Sequence, residues 1–201
     1  MKFRQTWTAI RALLILTVVL GVVYPLAITL VGQVALPAQA NGTLLRQGDE
    51  IIGSSLIGQS FADADGVALP EWFQSRPSAA GDGYDAAASS GSNQGPESED
   101  LIAAIAERRA SVAALEGVDP ASVPADALTA SASGLDPQIS PDYARLQTAR
   151  VAEARGLPEP MVAALVESKI VQGGVMGGVP GYLANSTVNV LELNIALAKL
   201  G

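Results

Sequence analysis

Hydrophobic positions follow a different rhythm in each part of the chain. The first part is a block: "ALLILTVVLGVVYPLAITLVGQVAL", Ala12 to Leu36, runs 25 residues without a charge. As a helix it would be about 37 Å long, enough to cross a hydrocarbon core of about 30 Å with some tilt. Pro25 withdraws a hydrogen bond from the carbonyl of Gly21, so a kink is expected near the middle. At about 100° per residue, Thr17, Gly21, Pro25, Ile28 and Gly32 fall within one stripe of mostly small residues. Such a stripe lets a partner helix in the membrane approach closely, although Gly and Pro are also common in membrane helices generally.

The pattern then shortens. In "TLLRQGDEIIGSS" apolar residues flank Gly48-Asp49, a pairing suited to a tight primed turn, and this predicts a β-hairpin. "LIGQSF" (Leu56–Phe61) is expected to continue the sheet. From 62 to 96 the chain is rich in Gly, Ala, Ser and Asp and keeps no period, which reads as a long irregular loop. Trp72, Phe73 and Tyr84 lie inside it, beside "SRPSA" (Ser75–Ala79). These aromatics read either as a docking surface or as pins holding the loop to its own domain.

Helical periodicity follows. "PESEDLIAAIAERRASVAALEG" has acids in its first turn, an apolar stripe of Leu101, Ile102, Ile105, Val112 and Leu115, and Gly117 as its stop. Ser140-Pro141 reads as the N-cap and first turn of a second helix ending at Gly156. A third is expected from about Pro158 to Val171, before the loop "VQGGVMGGVPGYLANST". The closing "VNVLELNIALAKL" is apolar over most of its helical circumference and should be buried. The expected fold class is α+β: one N-terminal transmembrane helix (12–36) after a cytoplasmic 1–11, then a mixed domain over 37–201. That domain would pack a small antiparallel sheet or hairpin with about four helices.

Two polar residues interrupt the second helix's apolar face. Tyr143, Leu146, Val151 and Ala154 share one side of the wheel, and Gln147 and Arg150 project from that side too. Unpaired burial would cost roughly 1–3 kcal/mol or more, so both need partners. The preceding "SASGLD" offers the hydroxyls of Ser131 and Ser133, backbone carbonyls and the Asp136 carboxylate. Gly134 can take the left-handed turn that folds this loop back. The expected result is a hydrogen-bonded platform of loop and helix with Arg150 as its hub.

Charge and composition add topology and exclusions. Residues 1–40 carry Lys2, Arg4 and Arg11 and no acid, whereas the remainder holds all 20 acids and only 9 of 12 basic residues. The positive-inside rule puts the N-terminus in the cytoplasm and the acidic remainder outside. "AQA" at Ala38–Ala40 also fits a signal-peptidase site, but a secretory core of about 7–15 residues is much shorter than this block. Both readings place the C-terminal domain on the same side. The acidic balance opposes nucleic-acid binding, which needs a basic face. With no Cys and no His, disulfides, reactive thiols and the usual zinc ligands are excluded, and no metal site is expected.

Several segments together resemble one family. "TASASGLDPQISP" (Thr129–Pro141), Gln147 and "RVAEARGL" (Arg150–Leu157) are similar to the C subunit of the Kdp potassium-transporting ATPase (KdpC). "GVVYPL" (Gly21–Leu26), "ANGTLLRQGD" (Ala40–Asp49), "GSSLIGQSF" (Gly53–Phe61), "RPSA" (Arg76–Ala79), "SGSNQGP" (Ser90–Pro96) and "VNVLELNIALAKL" agree in order. One departure is the loop Gln172–Ser186, longer and richer in Gly than the family pattern. The resemblance favours a retained anchor. It implies an accessory subunit of a bacterial inner-membrane K⁺ pump, whose channel-like A subunit carries the ion. A P-type B subunit hydrolyses ATP, and a small F subunit is a further neighbour. On this reading K⁺ is transported by the complex and not bound by this chain, and ATP acts through the B subunit. The chain itself has no "GxxxxGK[ST]", "DKTGT" or "TVGYG" motif. The family is also described as a catalytic chaperone that raises the pump's ATP affinity. On that description Gln147 is the candidate nucleotide contact, since an amide can pair with an adenine edge. Topology opposes it, because the anchor puts Gln147 outside. A free-standing envelope protein, anchored or secreted, is the alternative class.

Overall fold

The structure, a computed structural model, describes residues 2–173 and 185–200. It divides into two compact units, Met1–Ser54 and Ser55–Gly201. The expected α+β class holds: one N-terminal apolar helix, small antiparallel sheets and several further helices.

In the first unit α1 (Lys2–Val18), a π-helical turn (Val19–Val23) and α2 (Tyr24–Ala35) form one helical run. Phe3–Ala35 is long and apolar enough to cross a membrane, and none of its most apolar stretch is buried. Pro25 explains the π turn. A proline lacks an N–H and crowds the preceding turn, and the ladder widens just before it, with the Tyr24 N–H donating to the Val19 carbonyl. The short α3 (Pro37–Ala40) contains the "AQA" triplet, and Asn41 closes it by exchanging amide hydrogen bonds with Gln33. The hairpin follows as expected. β1 (Leu44–Gln47) pairs antiparallel with β2 (Glu50–Ser54), Gly48 at φ +63° makes the turn, and a bulge lies between Leu45 and Arg46.

The second unit carries the main core. Helix α4 (Glu99–Glu116) ends at Gly117, φ +67°, where only a residue tolerant of the left-handed region fits. Strand β3 (Gln138–Ile139) leads into α5 (Pro141–Leu146) and α6 (Thr148–Arg155), then α7 (Glu159–Lys169) and β4 (Ile170–Val171). Strand β5 (Thr187–Asn189) lies between β3 and β4, antiparallel to both, and runs into α8 (Val190–Leu197). Phe73, Ile139, Tyr143, Val151, Val162, Val166, Val188, Leu193 and Leu197 pack together at the centre.

Four expectations need correction. Leu56–Phe61 adds no strand to the hairpin; it belongs to the second unit, where Gly58 donates to the Leu135 carbonyl at 2.8 Å. The helix from Ser140 to Gly156 is divided at Gln147, whose backbone stays in the right-handed region but loosens to a turn (φ −80°, ψ −11°) while its side chain serves another segment. The third helix stops at Lys169 because Ile170-Val171, both β-branched, pair with Thr187-Val188. On α4 the buried position is Ala113, whereas Ile102 is 58% exposed. The loop expected over 172–186 falls mostly outside the described residues; at its edges the Gly173 N–H donates to the Ser186 hydroxyl at 3.1 Å.

Candidate functional site

The irregular segment 70–78 runs along the core, inserting Phe73 into it, with no strand to satisfy its backbone, and side chains take over that task. The Asn194 amide on α8 accepts from the Phe73 N–H and donates to the Phe73 carbonyl, both at 3.0 Å. The Gln147 amide does the same for Gln74, accepting at 2.6 Å and donating at 3.2 Å. Each amide thus replaces one step of a β-ladder, and Phe73, Gln147 and Asn194 are essentially sealed from water. Arg155 adds a bond from Nε to the Glu71 carbonyl at 2.7 Å and places its guanidinium 4.2 Å from the Trp72 ring centre. The aromatics are pins: Phe73 is in the core, Trp72 packs against Phe61, and the Tyr84 hydroxyl donates to the Arg76 carbonyl at 2.9 Å. Burial pushes the Tyr84 phenol up to about 12, so it remains a donor.

Arg150 is a hub, with partners other than those expected. Its Nε donates to both oxygens of Glu116 at 3.0 Å, and the two side chains are 8% and 1% exposed. Nη1 donates to the carbonyls of Pro70 and Trp72, and Nη2 to the Gln147 Oε1 at 2.9 Å. Arg150 therefore fastens α4, α6 and the 70–74 segment at one point. Burial holds the Glu116 carboxyl above the usual carboxylate range, with the Arg150 guanidinium opposing that shift. Its position at the C-terminal end of α4, where the helix dipole disfavours an anion, acts in the same direction as burial.

The "SASGLD" loop is built separately, which corrects the expected platform. Ser131 is 1% exposed, and its hydroxyl accepts from the Gly134 N–H at 3.0 Å and shares a hydrogen bond with the Ser133 hydroxyl at 3.2 Å. Gly134 is left-handed as expected, φ +70°, yet it folds the loop onto residues 77–91. The Ser78 hydroxyl donates to the Gly134 carbonyl at 2.6 Å, and the Ser90 N–H donates to the Ser133 carbonyl at 3.0 Å. Asp136 pairs with Arg76 at 3.4 Å, not with Arg150. The physical reason is that Arg150 already has a closer, fully buried carboxylate in Glu116. Both clusters bond to the 70–78 segment, Arg150 at Pro70 and Trp72 and the loop at Arg76 and Ser78.

Sequence reasoning missed Glu116, Asn194 and Arg76 as structural residues. A signal existed for two of them. Glu116 is the one acid in the last turn of α4, where acids are unfavourable, and Asn194 interrupts the apolar stripe of the last helix. In the first unit Thr17, Gly21, Pro25 and Ile28 are exposed and Gly32 is half-buried; a Cβ added at Gly21 would meet open space, and one added at Gly32 would lie 3.5 Å from the Ala40 Cβ, an ordinary contact.

Comparison with known proteins decides the family. The family model "KdpC: K+-transporting ATPase, c chain" matches residues 6–199. The chain belongs to the KdpC family. Among its relatives is the "Potassium-transporting ATPase KdpC subunit" of Kineococcus radiotolerans, 53% identical over 194 residues, covering 96% of this chain and 93% of that protein. The proteins of the same description from Caulobacter vibrioides (52%; 90% and 86% covered) and Mycobacterium bovis (49%; 98% and 99%) match over most of their length. As a KdpC-family member the chain is an accessory subunit of a potassium-transporting ATPase.

Proposed function

We propose that this chain is a non-catalytic, single-pass subunit of the inner-membrane Kdp pump. Its N-terminus is cytoplasmic and residues beyond about 40 are extracytoplasmic. It stabilises the assembly of the K⁺-translocating A subunit with the ATP-hydrolysing B subunit, with the small F subunit as a further neighbour and lipid around the anchor. The observation that carries this reading is the helix Phe3–Ala35, unburied within the chain and free of charge beyond Arg11. Such a surface is at rest only against lipid or other membrane helices, and Thr17, Gly21, Pro25, Ile28 and Gly32 offer the close-approach side. K⁺ is the cargo of the complex and is not held by this chain.

A chaperone effect on ATP affinity fits best as an indirect one, exerted through the B subunit. Gln147, the candidate nucleotide contact, is sealed from water and has both ends of its amide committed to Gln74. An adenine edge could take that amide only by opening the core at Phe73. The test is purification of the tagged chain from membranes expressing all subunits, beside Gly21→Leu and Gly32→Leu. The intact chain is expected to bring down the A and B subunits, and the bulky variants to bring down less. Isolation of the chain alone, shortened after Ala40, would establish the free-standing envelope reading instead.

A further inference from the structure

In the first unit the chain turns back on itself where the long helix ends. At Leu36, φ −137° and ψ 54°, α2 gives way to α3, which folds against the last turns of α2. Residues eight apart on an unbroken helix stand about 12 Å apart. Here a Cβ added at Gly32 would lie only 3.5 Å from the Ala40 Cβ. The next pair along, Gln33 and Asn41, exchange amide hydrogen bonds at 3.3 and 3.0 Å. Residues 40 and 41 are thereby held level with Gly32 and Gln33 instead of beyond Leu36.

That level has a meaning on the membrane scale. Ala12 to Gly32 is about 30 Å of helix, the thickness of a hydrocarbon core. The corner therefore returns the chain to the outer edge of that core, where the mutual pairing of the Gln33 and Asn41 amides keeps both satisfied without water. The hairpin is fastened to the same place. The Thr43 N–H donates to the Ala38 carbonyl at 2.8 Å, and the Ser54 hydroxyl to the Gly42 carbonyl at 2.6 Å.

The hairpin lacks a core of its own: no described residue from 3 to 54 is buried. Two strands alone are marginally stable in water. Leu44 and Ile51 are 45% and 49% exposed, and the register sets them on one face. Leu44 and Arg46 share a side of β1, and Arg46 pairs with Ile51. Gln47, paired with Glu50, belongs to the opposite face. Arg46 suits a surface that is apolar below and polar above, since its stem can lie along aliphatic groups while its guanidinium reaches outward.

We propose that this hairpin lies in the membrane surface, with Leu44 and Ile51 in the acyl–headgroup boundary, Arg46 reaching the lipid phosphates and Gln47 facing water. Its occupant is zwitterionic lipid, because the one base of the hairpin is offset by Asp49 and Glu50, whereas anionic lipid is recruited by clustered bases. The hairpin then acts as a foot that sets how far the anchor stands out of the bilayer. This inference rests on the single-pass reading of Phe3–Ala35.

The test uses single nitroxide labels, which a chain without cysteine allows. Leu44→Cys and Ile51→Cys probe the lipid face and Gln47→Cys the opposite one. Leu26→Cys serves as the helix reference and Glu159→Cys as the water reference, and all five positions are exposed. The full chain is placed in phosphatidylcholine nanodiscs, and the collision ratio of oxygen to a polar nickel complex is read by electron paramagnetic resonance. Oxygen enters hydrocarbon and the nickel complex does not, so the ratio at Leu44 and Ile51 is expected to exceed that at Gln47 and Glu159 by about threefold or more. A water-like ratio at Leu44 and Ile51 beside a hydrocarbon-like one at Leu26 overturns the proposal alone, and a water-like ratio at Leu26 as well overturns the single-pass reading. Equal ratios on the two faces overturn the proposal, as does shielding of Leu44 and Ile51 from both reagents, the sign of a protein surface covering them.

Discussion

At the scale of single residues, the second unit is held by polar side chains buried in an apolar setting, an arrangement that is stabilising only while every partner is present. Arg150 illustrates this. Removing it leaves Glu116, 1% exposed, as an unpaired buried acid and takes one donor each from the carbonyls of Pro70 and Trp72. Breaking a buried ion pair from one side typically costs about 3–5 kcal/mol. Arg150→Ala is therefore expected to lower the melting temperature of the full chain by many degrees, measured by circular dichroism. An unchanged melting temperature would show that Glu116 finds solvent or neutralises without cost. Which residues would be buried and polar was legible from the wheel for Gln147 and Arg150. Their partners were not, because Gln74 and Glu116 lie 73 and 34 positions away in the chain and no local pattern encodes that distance.

At the scale of elements, the outcome divides by how local the instruction is. The Gly48-Asp49 turn, the Ser140 cap and the Gly117 stop all formed where expected, since each is set by the backbone preferences of a few neighbouring residues. Strands β3, β4 and β5, of two or three residues each, carry too little pattern to be read in advance and exist only by pairing with one another. The Ser131–Asp136 loop lies between these cases. Its left-handed glycine was legible, whereas the surface it folds against was not. A Cβ on Gly134 would meet the Ser90 carbonyl at 2.6 Å and the backbone N of Ala80 at 2.8 Å, neither of which is a flexible side-chain end. With the strain of φ +70° added, Gly134→Ala is expected to destabilise by about 2–4 kcal/mol, read by chemical denaturation. A loss below about 1 kcal/mol would mean that the 77–91 segment yields easily.

For the molecule as a whole, the expected arrangement is a tether with an acidic body beyond the membrane. The absence of native cysteine makes this directly measurable. A single thiol introduced as Glu159→Cys, at the exposed start of α7, should react with a membrane-impermeant maleimide in cells whose outer membrane alone has been opened. Reaction only after the inner membrane is also breached would reverse the orientation and bring the second unit within reach of cytoplasmic ATP.

The linear order of residues was enough to establish the membrane-length helix, the hairpin, the main helices, the charge asymmetry and the family. All of these depend on composition or on contacts within a turn or two. Folding in three dimensions decided the rest: the pairing of Arg150 with Glu116, the amide clamps on Phe73 and Gln74, and the three-stranded sheet. Each joins residues far apart in the chain, and a side chain's hydrogen-bonding capacity says that it needs a partner without saying which one will arrive.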